Sequence, residues 1–139
     1  MSKKYKFLIV ASYFYPKITD GLLRGAISEL DNNKHTYDVF KVSGSLEIPV
    51  QISILLKKKK YDAVIAVGCI IKGKTDHYEF IANAITNSLL SISVDNRLPV
   101  SNTVLTCTSL KQAKERSSKK LNRAKEAVLA ALSVLKNLD

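Results

Sequence analysis

The sequence predicts an α/β fold: a three-layer, doubly wound, mostly parallel sheet of four strands with helices on both faces. Three observations predict it. Short apolar runs rich in β-branched residues alternate with longer segments whose apolar residues recur at helical spacing. The resulting order is β-α-β-α-β-α-β-α-α, and no hairpin signal interrupts it. A chain of 139 residues without a linker or repeat has the size of one domain, so we expect residues 1–139 to form a single unit.

The first half of the chain supplies two strands and a helix. Lys6–Ser12 is apolar almost throughout, which predicts a central strand. An aromatic turn follows, and Thr19 is predicted to cap the first helix, whose apolar stripe ends at Asp31–Asn33. Thr36–Val42 alternates loosely and is predicted to be the second strand. His35 lies in the polar loop before it and is interpreted as an ordinary surface residue.

The second half continues the alternation. A second helix is predicted to open at Leu46–Pro49, and Ala63–Val67 has the length and β-branched content of a buried parallel strand. A third helix is predicted over Phe80–Asn96, where Asp76 and Glu79 have the spacing of a helix cap and its partner. The remaining elements are a fourth strand and two helices, predicted over 98–108, from Thr108 or Ser109 onward, and at Ala124–Leu138.

Composition limits the function classes. The net charge is +10, but outside Lys57–Lys60 and the helix after Leu110 it is scattered, which favours solvated helix faces or an anionic substrate. No nucleic-acid-recognition motif is present and no apolar run approaches the roughly 20 residues of a membrane span, so we expect neither partner. Cys69 and Cys107 indicate reduced thiols in a cytoplasmic protein, and no Cys/His cluster has the spacing of a metal site.

The junction between the third strand and the third helix is the candidate site, because ligands of such sheets bind at the carboxyl ends of the strands. Free N–H groups at the start of the helix would attract a phosphate. The turn there carries residues for close backbone approach, charge, a hydroxyl and proton transfer: Gly73, Lys74, Thr75 and His77. However, residues 68–75 also match the Walker A pattern, which would instead indicate a nucleotide-binding P-loop.

Three side chains have both a structural and a functional interpretation. Phe14, in the aromatic turn, fits either a core plug or a ring stacked on a planar heterocycle. Glu47, at a helix start, fits either a partner of the helix dipole or a carboxylate that accepts hydrogen bonds from a polyol. His77 alone could be only a first-turn residue, but its neighbours in the turn favour catalysis.

The turns and their spacing resemble the 6,7-dimethyl-8-ribityllumazine synthase family over nearly the whole chain, from Phe7 to the last helix. The segments that carry the resemblance are Phe14 with Ile18–Thr19 and Leu22–Ala26, Gly44–Pro49, Tyr61–Ala63, Gly68–Tyr78, Pro99–Val100, Leu105–Thr106, and Gln112–Ala113 with Glu115–Arg116. Several positions depart from the family pattern, among them Tyr15 and Asn102. Tyr15 stands where an asparagine is usual, and Asn102 stands where a phenylalanine usually covers the substrate ring from the neighbouring subunit.

The resemblance implies a flavodoxin-like strand order and a reaction that needs neither a metal nor an organic cofactor. The reaction condenses 5-amino-6-(D-ribitylamino)uracil with 3,4-dihydroxy-2-butanone 4-phosphate to 6,7-dimethyl-8-ribityllumazine, releasing phosphate and water. His77 would transfer the proton. The implied substrate-binding residues are Phe14 under the pyrimidine ring, Ser45, Leu46 and Glu47 at the ring and ribityl chain, Cys69, Ile70 and Ile71 along the ring, Lys74 and Thr75 at the ketone phosphate, and Asn102 and Arg116 from an adjacent subunit.

The resemblance further implies a homo-oligomer whose active sites are shared between adjacent subunits. Family members occur as pentamers, decamers or hollow shells of pentamers, and riboflavin synthase is a further implied partner. Three alternatives compete with this interpretation. They are a P-loop nucleotide hydrolase, a non-enzymatic nucleic-acid-binding module, and a family member that has kept its assembly and lost its activity. Cys69–Ile71 read as continuation of a strand, which argues against the P-loop.

Overall fold

The computed structural model describes residues 3–74 and 77–139 and contains one four-stranded sheet, in the order β2-β1-β3-β4, with every neighbouring pair parallel. The predicted α/β class, the order of elements and the flavodoxin-like strand order are therefore confirmed. The elements are β1 (Lys6–Ser12), α1 (Pro16–Asn32), β2 (Thr36–Val42), α2 (Glu47–Lys58), β3 (Ala63–Ile71), α3 (Tyr78–Asn96), β4 (Val100–Cys107), α4 (Leu110–Arg116) and α5 (Arg123–Leu135), followed by a 3-10 turn at Lys136–Leu138.

The two central strands are apolar throughout because each is covered on both faces. Phe7 and Ile9 of β1 face a core formed with α1 and α5, whereas Leu8 and Val10 face a second core formed with α2 and α3. All nine residues of β3 are buried. This double burial explains why both strands read as continuous apolar runs rather than as an alternating pattern.

The start of α1 differs from the prediction. The helix begins at Pro16, whose fixed φ suits the first helical position, so Thr19 lies inside the helix and the prediction that it is the cap was wrong. Thr19 is buried, and its hydroxyl donates a 2.6 Å hydrogen bond to the carbonyl oxygen of Ser12. That bond fixes the end of β1 to the first turn of α1, beside the carboxyl edge of the sheet.

The later helices agree more closely with the sequence. Ser109 caps α4, since its hydroxyl accepts a 3.1 Å hydrogen bond from the N–H of Gln112. Helix α3 ends at Asn96 as predicted, but it begins at Tyr78 with His77 at the cap position. The predicted cap, Asp76, lies outside the described residues.

His35 is buried, with only 8% of its surface exposed, so its interpretation as a surface residue was wrong. Its Nδ1 accepts a 3.0 Å hydrogen bond from the N–H of Tyr5, and its ring lies against the rings of Tyr5 and Phe7. The loop that carries it follows α1 and folds over the start of β1. Burial, and then the positive charges of Lys4 and Lys136, lower the pKa of His35.

This environment predicts that the protein loses stability in mild acid. Since the folded-state pKa of His35 is lowered, the unfolded chain takes up the proton first as the pH falls below the ordinary value of 6.5, and stability declines through that window. The measurement is the free energy of unfolding in urea at about pH 7 and about pH 5.5, above the range where carboxylates titrate. A His35→Gln variant should lose most of this pH dependence, whereas a His77→Gln control should keep it. Equal slopes in His35→Gln and the unaltered protein would contradict the assignment.

Candidate active site

One cavity opens at the carboxyl edge of the sheet, where β1 lies between β2 and β3. Its volume is about 260 Å³, and loops that follow three different strands contribute to its walls. In sheets of this strand order, the loops after β1 and β3 leave in opposite directions and open a crevice. Eight predicted site residues line the cavity: Phe14, Ser45, Leu46, Glu47, Cys69, Ile70, Ile71 and Lys74.

The Walker A pattern does not form a phosphate-binding loop. Residues 68–71 belong to β3 and pair with β4, from Gly68 opposite Val104 to Ile71 opposite Cys107. Gly68 has a packing role instead, because an added Cβ would lie 2.5 Å from the hydroxyl oxygen of Ser12. A P-loop needs successive backbone N–H groups wrapped around an anion, and a paired strand does not offer them. The P-loop alternative is therefore wrong.

The end of β3 presents backbone to the cavity. Pairing between β1 and β3 stops at Val67, whereas pairing between β3 and β4 continues to Ile71. On the side of β1, residues 68–71 have no strand partner within the described part of the chain. Alternate residues of a strand direct their N–H and C=O groups to that side. The cavity wall therefore combines apolar side chains with backbone hydrogen-bonding groups.

A tight turn holds Lys74 at the cavity. Gly73 has a φ of +85°, in the left-handed region that favours glycine, and the N–H of Lys74 donates a 3.2 Å hydrogen bond to the carbonyl oxygen of Ile71. The N–H of Lys72 donates to the carbonyl oxygen of Cys107 at 2.8 Å, which joins the turn to the end of β4. Thr75, the next predicted site residue, lies outside the described residues.

His77 stands at the start of α3, one helical turn from the cavity wall. Its carbonyl oxygen accepts a 2.9 Å hydrogen bond from the N–H of Ile81, and Ile81 lines the cavity. The side chain of His77 is exposed and makes no capping hydrogen bond to α3. His77 therefore stands near the cavity without capping α3 through its side chain, and its role in catalysis stays a prediction.

Phe14 is 69% exposed, so its interpretation as a core plug was wrong. The ring of Tyr15 meets it edge to face, with ring centroids 5.1 Å apart and planes inclined at 74°. Such an arrangement holds an aromatic ring in place while leaving surface for another ring to stack on. The functional interpretation of Phe14 is the one that this geometry favours.

Glu47 has the position that its helix-dipole interpretation requires, and its role toward a polyol stays a prediction. It is the first residue of α2, where the helix dipole favours a negative charge, and the hydroxyl of Ser43 donates a 3.2 Å hydrogen bond to its Oε1. Its carboxylate is exposed and lines the cavity. A carboxylate only accepts hydrogen bonds, so this position suits the hydroxyl groups of a polyol.

The two cysteines are free and buried, as the sequence predicts. Burial, and then the neighbouring Cys107 thiol, raise the pKa of Cys69 to about 12. Cys69 therefore stays protonated at neutral pH, and because the thiolate is the reactive form it serves as cavity wall rather than as a nucleophile.

Asn102 and Arg116 lie outside this cavity. They line a separate groove of about 1140 Å³ along the edge strand β4 and helix α5. The side-chain oxygen of Asn102 accepts a 2.9 Å hydrogen bond from the N–H of Val104, and Nη1 of Arg116 lies 3.5 Å from the carbonyl oxygen of Thr106. The groove also contains exposed apolar side chains, namely Val94, Val134 and Leu138.

Comparison with known proteins shows the family of the chain. The family model of 6,7-dimethyl-8-ribityllumazine synthase matches residues 4–139. The chain belongs to this family. The lumazine synthase of Bartonella tribocorum is 40% identical over 141 residues, covering 98% of this chain and 93% of that protein. The lumazine synthase of Nitrobacter hamburgensis is 40% identical over 135 residues, covering 93% of this chain and 83% of that protein.

The predicted activity is thereby confirmed. As a lumazine synthase, the chain condenses 5-amino-6-(D-ribitylamino)uracil with 3,4-dihydroxy-2-butanone 4-phosphate in riboflavin biosynthesis and releases phosphate and water. Within residues 3–74 and 77–139, no three His, Cys, Asp or Glu side chains are grouped so that they could hold a metal ion. The described helices include none with the length and apolar character needed to cross a membrane.

The predicted set omits three residues that line the cavity of this lumazine synthase, namely Tyr15, Gly44 and Ile81. Tyr15 follows Phe14 at the carboxyl end of a strand, and that position was the signal for it. Ile81 lies four residues after His77, so the helical repeat places it on the same side of α3. Tyr15 and Ile81 could therefore have been predicted from the sequence, and Gly44 directly precedes the predicted Ser45.

Proposed function

We propose that the 260 Å³ cavity binds the pyrimidine substrate, with its ring stacked on Phe14. The observation that carries this proposal is the convergence of eight predicted residues, from three segments far apart in the sequence, on one cavity at the sheet's carboxyl edge. The unpaired backbone edge of residues 68–71 would hydrogen-bond the polar rim of the ring, beside Cys69, Ile70 and Ile71. Ser45, Leu46 and Glu47 would hold the ribityl chain, with the Glu47 carboxylate accepting from its hydroxyl groups.

The phosphorylated ketone would bind beside the pyrimidine, at the turn between β3 and α3. Lys74 supplies a positive charge there, and we propose Thr75 as a hydroxyl donor on the basis of the sequence alone. The first turn of α3 adds backbone N–H groups and the positive end of the helix dipole. Phosphate is the leaving group, so charge that develops on its oxygens would be stabilised where it forms.

We propose that His77 transfers protons in the condensation. The amine of the pyrimidine attacks the ketone carbon, so a proton leaves nitrogen while another reaches the carbonyl oxygen that departs as water. An imidazole can accept and donate protons near neutral pH. Holding the two substrates side by side would supply much of the acceleration.

We further propose a homo-oligomeric ring in which Asn102 and Arg116 of one subunit complete the cavity of its neighbour. Two observations support this. Both residues lie in the groove along β4 rather than in the cavity, and exposed apolar side chains line the same groove. Exposed apolar surface beside a polar rim is typical of protein–protein contacts. Riboflavin synthase is a candidate partner of that assembly through the resemblance alone.

A cytoplasmic location and a single domain over residues 1–139 complete the proposal. The free thiols of Cys69 and Cys107 suit a reducing compartment. One sheet carries both hydrophobic cores, which supports one folding unit.

A pair of variants tests the two principal roles in one experiment. Phe14→Ala should raise the Kd of 6-(D-ribitylamino)uracil, the substrate without its reacting amine, about tenfold or more because a stacking surface is lost. His77→Ala should leave that Kd unchanged and lower kcat about 100-fold without abolishing turnover, since substrate positioning remains. Calorimetric titration gives the Kd, and the fluorescence of the product gives the rate.

The matched control is Phe40→Ala, which removes a phenylalanine of β2 that is also exposed but lies outside the cavity. It should bind the pyrimidine as the unaltered protein does. An unchanged Kd in Phe14→Ala would refute the proposed pyrimidine site. Complete loss of turnover in a correctly assembled His77→Ala would show that the histidine does more than assist proton transfer.

A further inference from the structure

Tyr15 lines the cavity beside Phe14, in a position that several contacts restrict. It is half-buried and directly precedes Pro16, the first residue of α1. Its carbonyl oxygen accepts a 3.0 Å hydrogen bond from the N–H of Thr19, so the start of the helix fixes its backbone. The edge-to-face contact with Phe14 then restricts the orientation of the ring.

The hydroxyl of Tyr15 has no acceptor among the residues that the structure describes. Within residues 3–74 and 77–139, its side chain forms no hydrogen bond. Burial, and then the Cys69 thiol, raise its pKa, so the group remains a protonated phenol at neutral pH. Tyr15 and Cys69 both line the cavity, so the side chain of Tyr15 forms part of its wall.

The other polar side chains in the cavity are poorly suited to donate to a neutral ring. The uracil ring of the substrate carries two carbonyl oxygens, which accept hydrogen bonds. Glu47 can only accept, and the thiol of Cys69 is a weak donor. The hydroxyl of Ser45 lies 3.4 Å from that of Ser12. Lys74 carries the charge that a phosphate requires.

We propose that the Tyr15 hydroxyl donates a hydrogen bond to a ring carbonyl of the pyrimidine stacked on Phe14. Tyr15 is then a specificity-determining residue: its hydroxyl fixes how the ring is turned in its plane, while its ring edge holds Phe14. This inference rests on the proposed function, since it requires the pyrimidine to bind in this cavity.

Two variants separate the hydroxyl from the ring. Tyr15→Phe keeps the edge-to-face contact and removes only the hydroxyl, so KM for the pyrimidine, and the Kd of 6-(D-ribitylamino)uracil, should rise about tenfold. KM for the phosphorylated ketone should not change, and kcat should stay within about twofold. Tyr15→Leu removes the ring as well, so its Kd should rise further than that of Tyr15→Phe.

Analogues of the ligand identify the acceptor. Of two ribitylaminopyrimidines that each lack one of the ring carbonyls, one should bind the unaltered protein and Tyr15→Phe with equal Kd, because that pair has no bond left to lose. The other analogue should still distinguish the two proteins about tenfold. Thermal unfolding of each variant establishes that it is folded.

The outcomes separate this inference from the proposal on which it rests. An unchanged Kd in Tyr15→Phe, together with weaker binding in Phe14→Ala, would overturn the role of the hydroxyl and leave the pyrimidine site standing. Unchanged binding in both variants would overturn the site itself. A Tyr15→Phe variant with equally raised KM values for both substrates would show a structural role only, and would also overturn the inference.

Discussion

Replacing Arg116 by alanine should lower kcat/KM about 100-fold, as expected for loss of a charge-assisted hydrogen bond to phosphate. The fold should not suffer, because the contacts of Arg116 within its own chain are long: 3.5 Å to the carbonyl oxygen of Thr106 and 3.7 Å to the sulfur of Cys107. The loss should appear chiefly in KM for the phosphorylated ketone. Steady-state rates with each substrate varied in turn measure it, and the thermal unfolding of the variant should match that of the unaltered protein.

The same variant tests whether the site is shared between subunits. His77→Ala removes the imidazole beside the cavity, and Arg116→Ala removes the arginine in the groove. Each homo-oligomer built from one variant should therefore be nearly inactive. When the two variants are co-expressed in equal amounts and assemble at random, about one interface in four joins an intact cavity to an intact arginine. Activity should therefore recover to about a quarter of the unaltered level.

The control for this experiment is a mixture of separately assembled variants under conditions without subunit exchange, which should show no recovery. Lack of recovery in the co-assembled sample would place His77 and Arg116 in one active site of the same chain. Recovery distinguishes a shared site from mere contact between subunits, because it requires one residue from each chain at the same reaction centre.

The parts of this site that the sequence predicts are those that local pattern determines. Continuous apolar runs identify β1 and β3 because both strands are covered on two faces, and parallel order then puts the following loops at one edge. The prediction of three site residues follows from their places in those loops, namely Phe14, Glu47 and Lys74. The cavity that collects them is a consequence of chain topology, so it could be expected before any coordinates.

The misses have physical reasons that a local pattern does not contain. Thr19 has the composition of a helix cap, but Pro16 starts the helix a turn earlier and the hydroxyl turns to Ser12 instead. His35 sits among polar neighbours, yet it is buried where the end of α1 meets β1. Gly68 is part of a phosphate-loop pattern, but a glycine is needed there because the backbone packs closely against Ser12. The burial of His35 and the packing of Gly68 depend on contacts between segments that are distant in the sequence, whereas the change at Thr19 is decided within seven residues.

Asn122 illustrates such a contact, and replacing it should give the largest loss of stability. It is only 6% exposed, and its side-chain oxygen accepts hydrogen bonds from the N–H groups of Ala124 at 3.0 Å and Lys125 at 3.3 Å, which caps α5. Its side-chain nitrogen donates to the carbonyl oxygens of Gly21 at 2.8 Å and Ser117 at 3.2 Å. One amide therefore joins the start of α5 to α1 and to the end of α4.

Asn122→Ala removes all four bonds and leaves buried donors and acceptors without partners. We expect the free energy of unfolding to fall by about 3–4 kcal/mol, the sum of a lost helix cap and of buried groups left unsatisfied. Asn122→Asp keeps the cap but cannot donate to the two carbonyl oxygens. Its free energy of unfolding should therefore lie between those of the unaltered protein and of Asn122→Ala. Urea unfolding at fixed protein concentration measures the change. The matched control is Asn137→Ala, since Asn137 is exposed and makes a single 3.3 Å bond to Ser133.

Gly25 tests the contact of Asn122 with α1 in a second way. A Cβ added there would lie 2.2 Å from Cγ of Asn122, so Gly25→Ala must displace that side chain and break the same bonds. If the hydrogen bonds of Asn122 hold α1, α4 and α5 together, Gly25→Ala should lower the free energy of unfolding much less in an Asn122→Ala background than alone. In that background the clash is absent and the bonds are already lost. Strictly additive losses would mean that the two residues act independently. The contact between α1, α4 and α5 would then depend on apolar packing instead.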